Sequence, residues 1–246
     1  MLIALLSDIH ANREAFEACL AHAREAGARR FILLGDYVGY GADPSFVLDR
    51  VMELVADGAI ALKGNHDAAV LADAAGMNAA AHEAILWTRT QLNAAQRDFL
   101  AVLPLTFEED DRLFVHASAD LPAHWTYITG REVAARSMRA TKCQQTFCGH
   151  VHVPALFQLT QTGKIGEFVP VPNVEIPLLP RRQWLAVLGS VGQPRDHDPA
   201  ASYALLDDEK STLTYIRVPY DIAAAARKIL TAGLPPMLAT RLERGF

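Results

Sequence analysis

The chain has 246 residues, 51% of them hydrophobic and 21% charged, so a core can be buried without disulfides or structural metals, and wholesale disorder is excluded. A formal net charge of −5 argues against a surface built to follow a nucleic-acid polymer, yet leaves open a nucleotide or small phosphate ester at a locally positive site. Cys19, Cys143 and Cys148 form no CxxC pair, Leu2–Leu6 is too short and unflanked by basic residues for a signal segment, and no run nears the roughly 18 apolar residues of a membrane helix; the expectation is a cytoplasmic protein with reduced thiols.

In chain order, Met1–Leu6 has the length and continuous apolarity of a buried strand. Asn12 caps a predicted helix with Phe16, Cys19, Leu20 and Ala23 on one face, stopped by Gly27. Arg30–Leu34 is a second strand. Asp43-Pro44 provides the N-cap and first-turn proline of a helix carrying Val47, Val51, Leu54 and Val55, and Ala59–Leu62 is a third strand. This order predicts right-handed crossovers and a parallel sheet.

Asp67 to Leu103 reads as helical in two or three pieces. Leu105–Phe107 and Leu113–Val115 flank the acidic turn Glu108–Asp111 as a hairpin. After a helix near Arg131–Lys142, strands are expected at Thr146–Cys148, Ala155–Gln158, Glu167–Val169, Leu185–Leu188, Tyr203–Leu206 and Thr212–Arg217, with an irregular proline-rich excursion, Pro170–Pro180, expected to be an ordinary surface loop. Two helices close the chain at about 221–244. No linker or repeat divides residues 1–246, so one domain is expected, an α/β fold in which two sheets pack face to face with helices outside.

Five polar clusters begin within two residues of the end of an apolar strand: Asp8-Ile9-His10, Gly35-Asp36, Gly64-Asn65-His66-Asp67, His116, and Gly149-His150-Val151-His152. Ligands of α/β sheets bind beyond the carboxyl ends of strands, so clusters distant in sequence can meet there. The donors are nitrogen and oxygen without thiolate, a set suited to Mn, Fe, Zn, Ni or Co. They are too many for one ion, which points to two divalent ions sharing a bridging carboxylate.

These motifs, in this order, resemble the calcineurin-like metallophosphoesterase superfamily, and most closely its small bacterial and archaeal phosphodiesterase branch. The resemblance runs from Asp8 to His152 and continues through Ser190–Arg195. It implies the αββα metallophosphoesterase fold and a dinuclear centre. Asp8, His10 and His152 would hold one ion; Asn65, His116 and His150 the other; Asp36 would bridge. A hydroxide between the ions would attack phosphorus in line, while His66, oriented by Asp67, would serve the leaving oxygen. The implied activity is hydrolysis of phosphodiester bonds in a small or nucleotide substrate, with phosphomonoesterase or dinucleotide pyrophosphatase as alternatives. A non-catalytic scaffold of this fold is the alternative of another class; the presence of His66 and Asp67 argues against it.

Two departures qualify the resemblance. Gly35-Asp36-Tyr37-Val38-Gly39-Tyr40-Gly41 lacks the arginine of the protein Ser/Thr phosphatases, and Ala117 follows His116 where the family often has glycine. Arg195 is a candidate phosphate contact. His124 and His197 are candidates to border the substrate, whereas His22 and His82 are expected at the surface.

Overall fold

The computed structural model describes residues 1–72 and 76–246. Its described residues form two mixed six-stranded sheets and eight α-helices. The first sheet begins with three parallel strands, β1 (Leu2–Leu6), β2 (Arg30–Leu33) and β3 (Ile60–Ala61). The connecting helices are α1 (Arg13–Glu25) and α2 (Pro44–Ala56), which cover the outer face of this sheet. Asn12 caps α1 as expected, its side chain accepting from Ala15 N at 3.1 Å. Asp43 sits at the start of α2 but makes no side-chain cap, because Lys228 Nζ holds its carboxylate at 2.7 Å.

The helical stretch resolves into α3 (Asn65–Leu71), α4 (Ala79–Gln91) and α5 (Ala94–Val102). The second sheet then opens with the hairpin β4 (Thr106–Glu109) and β5 (Arg112–Val115), followed by α6 (Arg131–Arg139) and β6 (Gln145–Cys148). The remaining elements are β7 (Ala155–Thr160), β8 (Ile165–Phe168), β9 (Glu175–Pro177), β10 (Arg182–Val187), β11 (Ala201–Asp207), β12 (Thr212–Val218), α7 (Ile222–Thr231) and α8 (Pro236–Arg244). Strand order is β3-β2-β1-β11-β12-β9 in the first sheet and β4-β5-β6-β10-β7-β8 in the second.

Strand alternation explains the layering. Ile3 and Leu5 point inward to meet Phe114, Phe147, Leu156 and Trp184 of the facing sheet, while Ala4 and Leu6 point outward to Phe16 and Leu20 of α1. Outside the second sheet, α6 packs Ala134 and Met138 on Cys148, Leu185 and Val187. All three cysteines are buried and free.

The proline-rich excursion is not wholly irregular. Within it, β9 pairs antiparallel with β12 as the outermost strand, with Pro177 opposite Thr212. An edge position tolerates a residue that cannot donate a ladder bond. The segment thereby carries the chain from the edge of one sheet to the edge of the other, and none of its residues lines the cavity described below.

Candidate metal centre

The carboxyl ends of β1, β2, β3, β5 and β6 converge at one edge of the sandwich, and each delivers one polar cluster. β1, β2 and β3 run parallel to one another, as do β5, β6 and β10, so their C-terminal loops share an edge. Three groups of side chains come close enough to share an ion: Asp8, His10 and His152; His10, Asp36 and His66; and Asp36, His116 and His150. All are buried.

Distances show how the groups interlock. His152 Nε2 lies 3.3 Å and His10 Nε2 3.8 Å from Asp8 Oδ1. Asp36 Oδ2 lies 3.7 Å from His10 Nε2 and 3.4 Å from His116 Nε2, so one oxygen faces both halves of the centre. Asn65 is the first residue of α3, and its Oδ1 is 3.2 Å from His116 Nε2. His10 and His152 bring their Nε2 atoms to 3.0 Å.

The second nitrogen of each ring is anchored by a backbone carbonyl. His10 Nδ1 meets Val38 O at 3.1 Å, His116 Nδ1 meets Leu34 O at 2.9 Å, and His152 Nδ1 meets Gln193 O at 2.7 Å. These bonds occupy Nδ1 and turn Nε2 inward, the nitrogen that would meet an ion. His150 is reversed: Nε2 meets Trp125 O at 2.9 Å, which leaves Nδ1 for the centre.

The carboxylates are aimed just as firmly. Asp8 Oδ2 accepts from His150 N at 2.9 Å, and Asp36 Oδ1 accepts from His66 N at 2.8 Å. Asp8 Oδ1 is buried with no hydrogen-bond partner among the described residues. A bare carboxylate oxygen facing imidazole nitrogens fits a divalent cation, since an orphaned buried acceptor is otherwise costly. The donor chemistry therefore fits the ions expected from sequence.

Holding the donors this way strains the backbone. Asp8, His10, Asp36, His150 and His152 have φ of 55°, 50°, 55°, 66° and 65°, in the left-handed region. Each such residue costs about 1 kcal/mol or more, and their coincidence with the donors is typical of functional strain. The turn after β10 compensates: Val191 N bonds Ser7 O at 3.0 Å, Gly192 N bonds Asp8 O at 2.8 Å, and Ser190 Oγ donates to Asp8 O at 2.8 Å. Ala117 is not in the left-handed region, so the missing glycine is no obstacle to His116.

Burial dominates the electrostatics. It drives His10 well below the ordinary histidine value, His66 down to about 4 and His150 down to about 3. Burial opposes ionisation of Asp8 and Asp36, but the surrounding histidines outweigh it and hold both carboxyls low. Burial likewise opposes the His116 cation, yet the Asp36 charge prevails and raises this ring to about 9.

Asp67 has a different task from the one expected. Its Oδ2 accepts from Asp36 N (2.8 Å) and Gly64 N (2.9 Å), and its Oδ1 accepts from Tyr37 N (2.9 Å). The carboxylate ties the β2 loop to the start of α3, and His66 Nδ1 has no hydrogen-bond partner among the described residues. Burial and then the Asp36 charge raise its carboxyl to about 7, against the Gly64 and Asp36 amides and the His116 charge.

Beside the centre opens a cavity of about 520 Å³, lined by Tyr40, Asn65, His66, Trp125, Tyr127 and His150 among others. Tyr127 stacks on His150 with ring centroids 3.9 Å apart, and Tyr40 lies 4.5 Å from the His66 ring. Sequence reading missed these aromatics, since tyrosine and tryptophan in a loop carry no spacing signal. Arg195 reaches the same edge: its amide bonds His152 O at 3.2 Å. His124 and His197 are exposed and line no part of this cavity, and His82 is exposed as expected. His22 is half-buried, its Nδ1 2.7 Å from the Tyr203 hydroxyl, because the end of α1 leans on β11.

The chain is a two-sheet α/β sandwich with clustered His and Asp donors at its strand ends, and sequence comparison supports a metal-dependent phosphoesterase. The profile of the calcineurin-like phosphoesterase superfamily domain matches residues 1–211, and the chain belongs to that family. It is 34% identical to the uncharacterized protein MJ0912 of Methanocaldococcus jannaschii over 99% of this chain and 98% of that one. A metallophosphoesterase from Sphaerobacter thermophilus superposes with a TM-score of 0.88 at 34% identity, covering 100% of this chain and 99% of that one. The hypothetical protein PH1004 of Pyrococcus horikoshii shares the fold, with a TM-score of 0.80 at 20% identity over 100% of this chain and 98% of that one. Among the described residues, no helix is long and apolar enough to cross a membrane.

Proposed function

We propose that the chain hydrolyses phosphodiester bonds of a small or nucleotide substrate at a dinuclear centre. Asp8, His10 and His152 would hold one divalent ion, Asn65, His116 and His150 would hold the other, and Asp36 would serve both. The observation that carries this reading is Asp36 Oδ2, shared between His10 at 3.7 Å and His116 at 3.4 Å. Mn, Fe, Zn, Ni or Co ions suit such nitrogen and oxygen donors. Bound ions supply Lewis-acid stabilisation of phosphoryl charge and acidify water at neutral pH.

The chain's own residues do the rest. Asp8 and Asp36 are pre-aimed by backbone amides, so little reorganisation accompanies the reaction. His66 is buried, neutral at pH 7 and borders the cavity, where its ring N–H would donate a hydrogen bond to the leaving oxygen as charge develops there. Asp67 acts as a positioning residue by fixing the amides of Asp36 and Gly64. Arg195 contributes positive charge beside the centre. The cavity beside His66 and His150 provides the room that a second ester group needs, and its aromatic lining suits stacking of a flat aromatic group such as a nucleobase. These features support a diester over a monoester.

The test is hydrolysis by Mn²⁺-reconstituted protein of bis-p-nitrophenyl phosphate and p-nitrophenyl phosphate. The diester should turn over about tenfold faster or more, each factor of ten being about 1.4 kcal/mol in barrier. Faster monoester release would replace the reading with a phosphomonoesterase. Silence on both, with ions bound, would favour a selective pyrophosphatase or a scaffold.

A further inference from the structure

Two guanidinium groups at the edge of the centre carry charge that no described carboxylate neutralises. Arg195 Nη2 bonds only the amide oxygen of Gln193, at 2.8 Å, and its Nε is buried without a partner among the described residues. Its Cζ lies 5.6 Å from the centre of the Tyr40 ring, and that ring packs on His10 and His66 with centroids 4.7 and 4.5 Å away. Arg195 therefore borders the ring that packs on two side chains of the centre, and its own amide bonds His152 O at 3.2 Å.

Arg241 comes from α8, whose Leu238 and Leu242 form one apolar cluster with Tyr40. Its Nε is also buried without a partner among the described residues. The end of α8 is tied to the loop that carries Arg195, because His197 N bonds Gly245 O at 2.7 Å. Burial, and then the charge of Arg195, lower the Arg241 guanidinium from its ordinary value.

Nearby acids are committed elsewhere. Asp196 and Asp198 pair with Arg217, and Glu14 and Asp43 pair with Lys228 at 2.6 and 2.7 Å. Two half-buried cations with orphaned donors are unfavourable without a counter-charge. Arginine's planar fork suits the oxygens of a phosphate group.

We propose that Arg195 and Arg241 form a second anion subsite, which holds the phosphate adjacent to the one hydrolysed. The substrate class is then a diphosphate or longer polyphosphate ester, with the Tyr40 ring bordering both the subsite and the centre. This inference rests on the phosphoesterase reading above and narrows its substrate. It also gives the last helix a part in recognition, since α8 supplies one of the two cations.

Equilibrium dialysis of ³²P-labelled phosphate and pyrophosphate against Mn²⁺-loaded protein, at fixed free Mn²⁺, tests the subsite by binding alone. Pyrophosphate should bind about tenfold tighter than phosphate or better. Arg241→Gln should bring that ratio to within about twofold of unity, and Arg241→Lys, which keeps charge but not the fork, should leave an intermediate ratio. Equal binding of the two anions by the unaltered protein, or an undiminished ratio in both variants, would overturn the proposal. Failure to hydrolyse any diester would sink the earlier reading without changing this binding result.

Discussion

Gly149 sits where the β6 loop crosses the β1 loop, and a single methyl group there should disable the centre. A Cβ at this position would lie 1.9 Å from Ser7 Oγ, 2.3 Å from Asp8 Oδ2 and 2.6 Å from Ser7 Cβ. Ordinary contact begins near 3.4 Å, so the Asp8 carboxylate must retreat by about an ångström or the two loops must part. Retreat breaks the 2.9 Å bond from His150 N and opens the 3.3 Å approach to His152. Overpacking of this size costs about 1–3 kcal/mol, and a donor misplaced by about an ångström costs about 10²-fold in rate. Gly149→Ala should therefore lower Tm by about 2–4 °C per kcal/mol lost, weaken binding of an ion by Asp8 and His152, and cut diester turnover about 100-fold. Gly130→Ala is the control, because nothing lies within 4 Å of its added Cβ. The assay pairs thermal unfolding with metal analysis and kcat. A Gly149→Ala protein matching the unaltered chain in all three would refute the close-approach argument.

Other expectations follow from the same geometry. His66→Ala should keep both ions while lowering kcat by about 10²–10³, the range for a lost hydrogen-bond donor to developing charge. Because His66 also lies within ligand distance of His10 and Asp36, loss of an ion in this variant would reassign it as a ligand. Protein freed of ions should lose stability as pH falls below 6.5. There the unfolded chain takes up protons that His66 and His150, at about 4 and about 3, refuse when folded. Each of those rings should cost about 2 kcal/mol by pH 5, and His10 and His152 act in the same direction. The raised carboxyl of Asp67 and raised ring of His116 oppose this without outweighing four histidines. A Tm that rises between pH 7 and pH 5 would contradict the assignment. Tyr127→Ala should raise KM for an aryl diester more than it lowers kcat, since the ring lines the cavity and holds no donor. A fall in kcat alone would give Tyr127 a role in the chemical step.

Much of the centre was legible because strand ends are legible. Apolar runs of two to six residues end just ahead of Asp8, Asp36, Gly64-Asn65, His116 and Gly149-His150, and parallel pairing of those strands brings the ends to one edge. Features resting on tertiary choice were not readable. Asp67 follows His66 in sequence, yet three backbone amides compete for its carboxylate and win. Asp43 looks like a cap, but a lysine 185 residues away takes its oxygen. The β9 strand hides among prolines, because only its edge position makes Pro177 acceptable. Trp125 and Tyr127 sit in a loop whose path depends on a carbonyl contact to His150, and no local pattern announces such a contact.

The central claim is that Asp36 bridges two ions, and stoichiometric titration of metal-free protein with Mn²⁺ tests it most directly. The account predicts two ions per chain, diester hydrolysis that appears only as the second site fills, and weakened binding at both sites in Asp36→Asn. Full activity at one ion per chain, or two ions retained tightly in Asp36→Asn, would contradict it.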